Sequence, residues 1–270
     1  MTIGNRADEP IAYRNKDAVE RLDGIADLHL LHDRPIHVRC DDSVTRVVDG
    51  AELLVRRSRG YAPAPLALPL ELAEPVLAVG GQLKNVFALG RGRQAFLSHH
   101  LGDLDQYEAY RAFERDVGLY EDLFETRPQL IAHDLHPDYA SSGYAERRAA
   151  GEGLNRLAVQ HHRAHMASCM AEHGLNETVI AVCWDGTGYG PDGAIWGGEF
   201  LVGDYTSYHR AGHLRYVRLP GGDQAARQPW RMAVSQLLDA GCDISALPGV
   251  SDRQRQTVEQ MIARGLQSPW

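Results

Sequence analysis

Apolar and polar positions alternate through DLHLLHDRPIHVRCDDSVTRVVDGAELLVRRSRGYAP, residues 27–63. With turn signals at Asp33–Pro35 and Asp49–Gly50, that period of two predicts three short strands. A short helix is expected just before them, over Lys16–Ile25. The next stretch, APAPLALPLELAEP (residues 62–75), contains four prolines. Proline at that density stops helices and interrupts sheets, so the segment reads as a linker or an extended crossing, and the domain boundary is placed there.

Beyond it the pattern changes. PVLAVGG reads as a buried strand, NVFALGRGRQAFLSHHLG as a hairpin turning at Arg91–Gly92, and Gln106–Leu123 as a helix. QLIAHDLHPDY reads as strand then loop, and Ser142–Met170 as mostly helical with a break near Gly151–Gly153. TVIAVCWDGTGYG is a strand running into a glycine-rich turn, with AIWGGEFLVGDY as its hairpin partner. Gln228–Ala240 and Asp252–Ala263 are further helices. Strands, hairpins and helices mixed in this way predict an α/β fold with a mixed sheet.

Composition narrows the function classes. A hydrophobic share of 44% and a charged share of 24% are those of an ordinary globular protein. No apolar run approaches the roughly 20 residues needed to span a bilayer, and the start MTIGNRADEPIAYR lacks a signal-peptide pattern. A cytoplasmic location is expected. A net charge of −8, from 36 acidic and 28 basic residues, argues against a broad nucleic-acid surface. The four cysteines are scattered and form no C-x-x-C pair, so they read as reduced thiols.

The histidines are more informative. In QHHRAHMASCMAEHG (160–174), His161 and His165 stand four apart and share one helix face. Two imidazoles so placed can grip one metal ion, with Cys169 a turn further on. The same cluster also suits a polar helix surface. A zinc peptidase of the H-E-x-x-H type is disfavoured, because His162 stands where the general-base glutamate belongs.

In VIAVCWDGTGYGPDGAIWGGEF (179–200), a strand delivers Asp185, followed by Gly186, Gly188 and Gly190 at alternate positions. A carboxylate beside close-approaching backbone suits a metal or a metal-bound phosphate, although D-G-T-G also suits a plain hairpin turn. LAVGGQLKNVFAL (77–89) places Lys84–Asn85 at a second hairpin, and LPGGDQAARQPWRMA (219–233) leads from a glycine turn into a helix. His99, His100, Asp103 and Asp105 form a further acidic and histidine-bearing segment.

Six of these pieces in this order, GGQLKNVFAL, LSHHLGDLDQYEAYRAFE, AHDLHPDYASSGYA, VQHHRAHMASCMAEHG, CWDGTGYGPDGAIWGGEF and LPGGDQAARQPWRMA, resemble the transferase domain of the hydrogenase-maturation carbamoyltransferases, the HypF family. TIGNRADEPI, HDRPIHVRCDDSVTR and RRSRGYAP are similar to the end of the YrdC-like domain that precedes it there. The resemblance implies residues 1–61 as the last part of a YrdC-like nucleotide-binding domain, 62–75 as the linker, and 76–270 as the first, incomplete part of an actin-like (ASKHA) transferase domain. It implies a fragment of a longer enzyme, lacking the acylphosphatase region and the second lobe.

The implied chemistry starts from carbamoyl phosphate and ATP with magnesium. It passes through carbamoyl-adenylate and ends on the C-terminal cysteine of HypE, as a step toward the cyanide ligand of nickel–iron hydrogenase. The implied metal ligands are His161, His165 and Asp185, holding one divalent ion, zinc or iron. Lys84 and Asp185 are the implied catalytic residues. Asn5, Ser43, Arg57, Gly186, Gly188 and Gly190 would face nucleotide. The chain departs from the family's T-S-G-N at Thr2-Ile3-Gly4-Asn5, losing a hydroxyl. Two other readings stand beside this one: an O-carbamoyltransferase of secondary metabolism, against which the domain order speaks, and a non-catalytic metal- or nucleotide-binding module.

Overall fold

The computed structural model describes residues 4–5, 11–245 and 247–269. Packing divides the chain into two compact units, Met1–Val159 with Ala171–Leu175, and Gln160–Met170 with Asn176–Trp270. Thr2 and Ile3 of the departing motif lie outside the described residues.

In the first unit, α1 (Asn15–Arg21) is followed by the hairpin β1 (Val44–Val48) and β2 (Ala51–Arg56). Its two-residue turn places Asp49 at φ 51° and Gly50 at φ 79°, the doubly left-handed geometry that the right-handed twist of a hairpin favours. The third strand expected over the alternating residues 27–32 does not form. Leu28 and Leu30 are almost wholly exposed, and among the described residues no neighbouring strand takes up that backbone. Alternation without a partner ladder is not enough.

The main sheet has six strands in the order β3 (Leu66–Ala67), β6 (Gln94–Leu97), β5 (Ala88–Arg91), β4 (Val76–Ala78), β7 (Leu130–Asp134) and β8 (Asn155–Val159). Neighbours are antiparallel from β3 to β4, then parallel from β4 to β8, so the sheet is mixed as expected. The proline-rich stretch is not a free linker. Leu66–Ala67 pairs with Ala95 and Gln94, and Leu72 donates its backbone N–H to Gly92. Two successive residues without proline are enough for one short edge pairing.

Helices α2 (Tyr107–Leu123) and α3 (Ala140–Glu152) follow β6 and β7 respectively. On α2 the buried residues Ala109, Ala112, Phe113, Asp116, Val117, Tyr120 and Glu121 recur at three- and four-residue steps, the stripe that buries a helix on a sheet. Of these, Ala112, Phe113, Val117 and Tyr120 join Leu77, Val79, Phe87 and Ile131 in one core. Glu121, 4% exposed, is held by both Nη groups of Arg148 at 2.5 and 3.0 Å and by Arg127 at 3.0 Å. A buried carboxylate so paired keeps its hydrogen bonds.

The expected helix over residues 142–170 is in fact a helix, a strand and a second helix. Gly153 at φ 69° caps α3. β8 then runs parallel to β7, and α4 (His161–Glu172) begins after Gln160. The apolar run Leu157–Val159 completes a sheet edge, which a local pattern reads as helix as readily as strand.

The second unit is built on an antiparallel sheet ordered β11 (Tyr208–His213), β10 (Ile195–Gly203), β9 (Val179–Tyr189). Three helices follow: α5 (Asp223–Arg227), α6 (Trp230–Asp239) and α7 (Asp252–Arg264). α7 starts with a reciprocal capping box, Ser251 with Gln254, and ends at Gly265 in the left-handed region. Met166 and Met170 of α4 pack with Cys183, Trp196 and Leu201 of the sheet. Among the described residues no helix is long and apolar enough to cross a membrane.

Candidate metal centre

Gln160 positions the start of α4. Its Oε1 accepts from the Arg163 backbone N–H at 3.0 Å, one of the first-turn donors that a helix leaves unpaired. With the oxygen so engaged, its Nε2 points to His162 Nδ1 at 3.2 Å and to the Tyr189 carbonyl at 3.3 Å. Nδ1 of His162 is thereby the acceptor, and Nε2 carries the proton. That ring is fully buried and its Nε2 has no hydrogen-bond partner. Burial holds its pKa below the ordinary histidine value.

β9 does not end at Asp185. It continues for eleven residues through Asp-Gly-Thr-Gly-Tyr, and the turn comes at Gly190–Gly193. The expected strand-end carboxylate is therefore a mid-strand one. The register explains its aim: Gly198 pairs with Trp184 and Trp196 with Gly188, so a single residue, Gly197, faces three on β9. A bulge of this kind bends the strand and redirects a side chain.

That redirection brings Asp185 onto the histidine face of α4. Its Oδ2 lies 2.9 Å from His161 Nε2 and 3.4 Å from His165 Nε2. One ligand atom from each of His161, His165 and Asp185 lies within 4.8 Å of the others, forming the metal-competent cluster among the described residues. The two imidazole contacts hold the Asp185 carboxyl well below the usual carboxylate range, with a further contribution from the Gly186 backbone N–H at 2.6 Å. Two imidazole nitrogens and an ionised carboxylate are a donor set for zinc or iron(II), with ligand spacings compatible with bonds of about 2.0–2.2 Å. Cys169 is exposed and outside the cluster.

The other expected site residues fall in several places. Gly186 sits in open space, but Gly188 and Gly190 have packing reasons of their own. A Cβ on Gly188 would meet His162, and one on Gly190 would run into Trp196 and Asp192. Lys84 lies in the first unit at the β4–β5 hairpin, exposed, with φ 49°, and its N–H donates to Asp103 Oδ1 at 2.7 Å. Asn85 beside it is buried and donates to the Val79 and Gly81 carbonyls. Asn5 is half-buried. Ser43 donates to the Arg59 carbonyl, and Arg57 donates to the carbonyls of Tyr61 and Ala64. His99 turns to Asp116, at 3.5 Å, rather than to a metal cluster.

Pattern reading passed over a second polar group behind the bulge. Glu199, 2% exposed, accepts from Arg210 Nε at 2.6 Å and from the Gly197 N–H at 3.1 Å. Arg210 lies 3.9 Å over the Trp196 ring and donates to Tyr216, which donates to Asp192. A buried glutamate on an otherwise apolar strand was the one signal available. Beside it, Asp185, Trp196, Gly197, Glu199, Tyr216 and Gln236 border a cavity of about 210 Å³.

Comparison with known families places this α/β chain in the Kae1-like class. Residues 71–172 match the HypF Kae1-like domain, and 181–270 the second subdomain of the carbamoyltransferase Kae1-like domain. The chain belongs to the HypF family. It is 46% identical to carbamoyltransferase HypF2 of Cupriavidus necator, over all of this chain and 34% of that protein. It is 47% identical to carbamoyltransferase HypF of Synechocystis sp., over 91% of this chain and 32% of that one. Among solved structures, a full-length HypF in its phosphate- and nucleotide-bound form superposes with a TM-score of 0.90 at 43% identity, over 99% of this chain and 35% of that one. T. kodakarensis HypF superposes at 0.88 and 34% identity, over all of this chain and 37% of that one. The chain spans about a third of the length of the curated relatives it matches.

Proposed function

We propose that this chain carries the metal-site portion of a cytoplasmic carbamoyltransferase, moving the carbamoyl group of carbamoyl phosphate through carbamoyl-adenylate to the C-terminal cysteine of HypE. The observation that carries the reading is the convergence of His161, His165 and Asp185, from a helix and a bulged strand, on one small volume. The relatives' shared name, carbamoyltransferase, supports the reaction class. Under this reading residues 1–61 are the end of a YrdC-like nucleotide-binding domain, and 76–270 belong to the transferase domain.

His161 and His165 would hold a zinc or iron(II) ion through Nε2, and Asp185 through its carboxylate. Such an ion supplies Lewis-acid stabilisation of the oxygen on which charge develops during transfer. Other residues have distinct tasks. Gln160 and His162 set the pitch of α4, while Gly197 and Glu199 hold the strand opposite Asp185. Lys84 offers an exposed ammonium for an anionic substrate group. Asn5, Ser43 and Arg57 in the first unit would contribute to binding nucleotide with magnesium, as would Gly186, Gly188 and Gly190 in the second.

The test is transfer to HypE by the full-length protein carrying His161→Ala and His165→Ala together. A loss of about a hundredfold or more, with unchanged carbamoyl phosphate hydrolysis, is expected. Wild-type transfer by that double variant would overturn the reading.

A further inference from the structure

Behind the metal ligands, a chain of polar contacts within the second unit leads to the strand that carries Asp185. Gly197 is its inner link. This residue lies directly against the Asp185 backbone, where a Cβ would stand 3.1 Å from the Asp185 carbonyl oxygen. A bulge disrupts the regular ladder, so contacts from outside the ladder help to fix its shape. Here the Gly197 N–H donates to Glu199 Oε1 at 3.1 Å, a side chain reaching back two residues along its own strand.

The other carboxylate oxygen of Glu199 accepts from Arg210 Nε at 2.6 Å. Arg210 is held in turn. Its Nη1 donates to the Tyr216 hydroxyl at 2.7 Å, and that hydroxyl donates to Asp192 Oδ2 at 2.8 Å. Asp192 Oδ1 accepts from Trp196 Nε1 at 2.9 Å and from the Ala194 N–H at 3.1 Å. The Arg210 guanidinium also lies 3.9 Å over the Trp196 ring. Trp196 and Gly197, successive residues of β10 at the bulge, are thereby gripped by the two ends of one network.

Stability alone does not account for Glu199, which is 2% exposed. A buried carboxylate–guanidinium pair is often matched or bettered by apolar residues of the same volume. What an apolar pair cannot do is accept the Gly197 N–H.

We propose that Glu199, aimed by Arg210, is a positioning residue for the metal centre. It holds Gly197, and through Gly197 the mid-strand bend that turns Asp185 toward His161 and His165. Ligand distances in a metal site are set to within about 0.2 Å, and residues that only orient the ligands change affinity by about tenfold to a hundredfold. The inference rests on the metal-site reading above and adds to it the group that aims the carboxylate.

Zinc affinity of the 270-residue chain, measured by competition with a chromophoric chelator, tests this alongside urea denaturation of each variant. Glu199→Met/Arg210→Met should keep a stability close to that of the unaltered chain, yet bind zinc about tenfold or more weakly. Glu199→Gln/Arg210→Met loses the same charges but restores an acceptor at Oε1, and should recover most of the affinity. Tyr216→Phe removes only the hydroxyl that steadies Arg210, and should weaken zinc binding in the same direction by less. A merely structural pair would make affinity follow stability across the three. Unaltered affinity in Glu199→Met/Arg210→Met or in Tyr216→Phe, or no recovery in the glutamine variant, would overturn this inference and leave the three ligands in place. An unaltered chain that binds no zinc would overturn the metal-site reading and this inference together.

Discussion

Gly188 on β9 lies against the His162 ring: a Cβ there would stand 2.5 Å from Cε1 and 2.8 Å from Nδ1. No real carbon sits that close, and the ring is fully buried with Nδ1 bound by Gln160. The missing side chain is what lets α4 approach the strand carrying Asp185. Gly188→Ala is therefore expected to destabilise the protein by about 1–3 kcal/mol through overpacking. Urea denaturation checks this, and Gly186→Ala, which meets open space, should cost less.

The pair Glu199 and Arg210 gives a second expectation. The carboxylate is buried and touches the guanidinium at 2.6 Å. Removing one partner leaves the other charge uncompensated, so Glu199→Ala should cost about 3–5 kcal/mol in chemical denaturation. Replacing both with apolar residues of similar size should recover much of that loss.

In the first unit, Phe87 meets Phe113 and Tyr120 edge-on at 6.0 and 4.9 Å between ring centres, fully buried. Phe87→Ala should cost about 3–5 kcal/mol in the same measurement, from lost burial plus the cavity left behind.

Acid should weaken the fold through its buried histidines. Burial lowers the His99 pKa despite the opposing charge of Asp116, and Arg39 and Arg115 push the same way as burial, against Asp41. A group whose folded pKa lies below its unfolded value of about 6.5 binds its proton first in the unfolded chain, so stability falls as pH drops through that window. His100 and His162 shift in the same direction. Unfolding free energy should be lower at about pH 5.5 than at about pH 7.5, and His99→Gln should flatten the slope.

The legible parts of this fold were those whose cause is local. The Asp49–Gly50 hairpin turn, the stripe on α2 and the helix of α7 follow from neighbouring residues alone. β8 and the pairing of Leu66–Ala67 depend on strands distant in sequence, so no local period announces them. His161 and His165 were visible as a helical pair. The route of Asp185 was not, because a bulge is set by the pairing of two strands, and D-G-T-G looks the same in a turn. Glu199 and Arg210 are eleven residues apart on neighbouring strands and meet only once the sheet has formed.

The central claim is that His161, His165 and Asp185 act together as ligands of one cation. Elemental analysis of the chain after loading with zinc or iron(II) and extensive dialysis addresses it directly. About one equivalent of metal is expected for the unaltered chain, with most of it lost in His161→Ala, His165→Ala and Asp185→Asn while the fold persists by circular dichroism. Equal metal retention in all three variants, or none in the unaltered chain, would contradict the account.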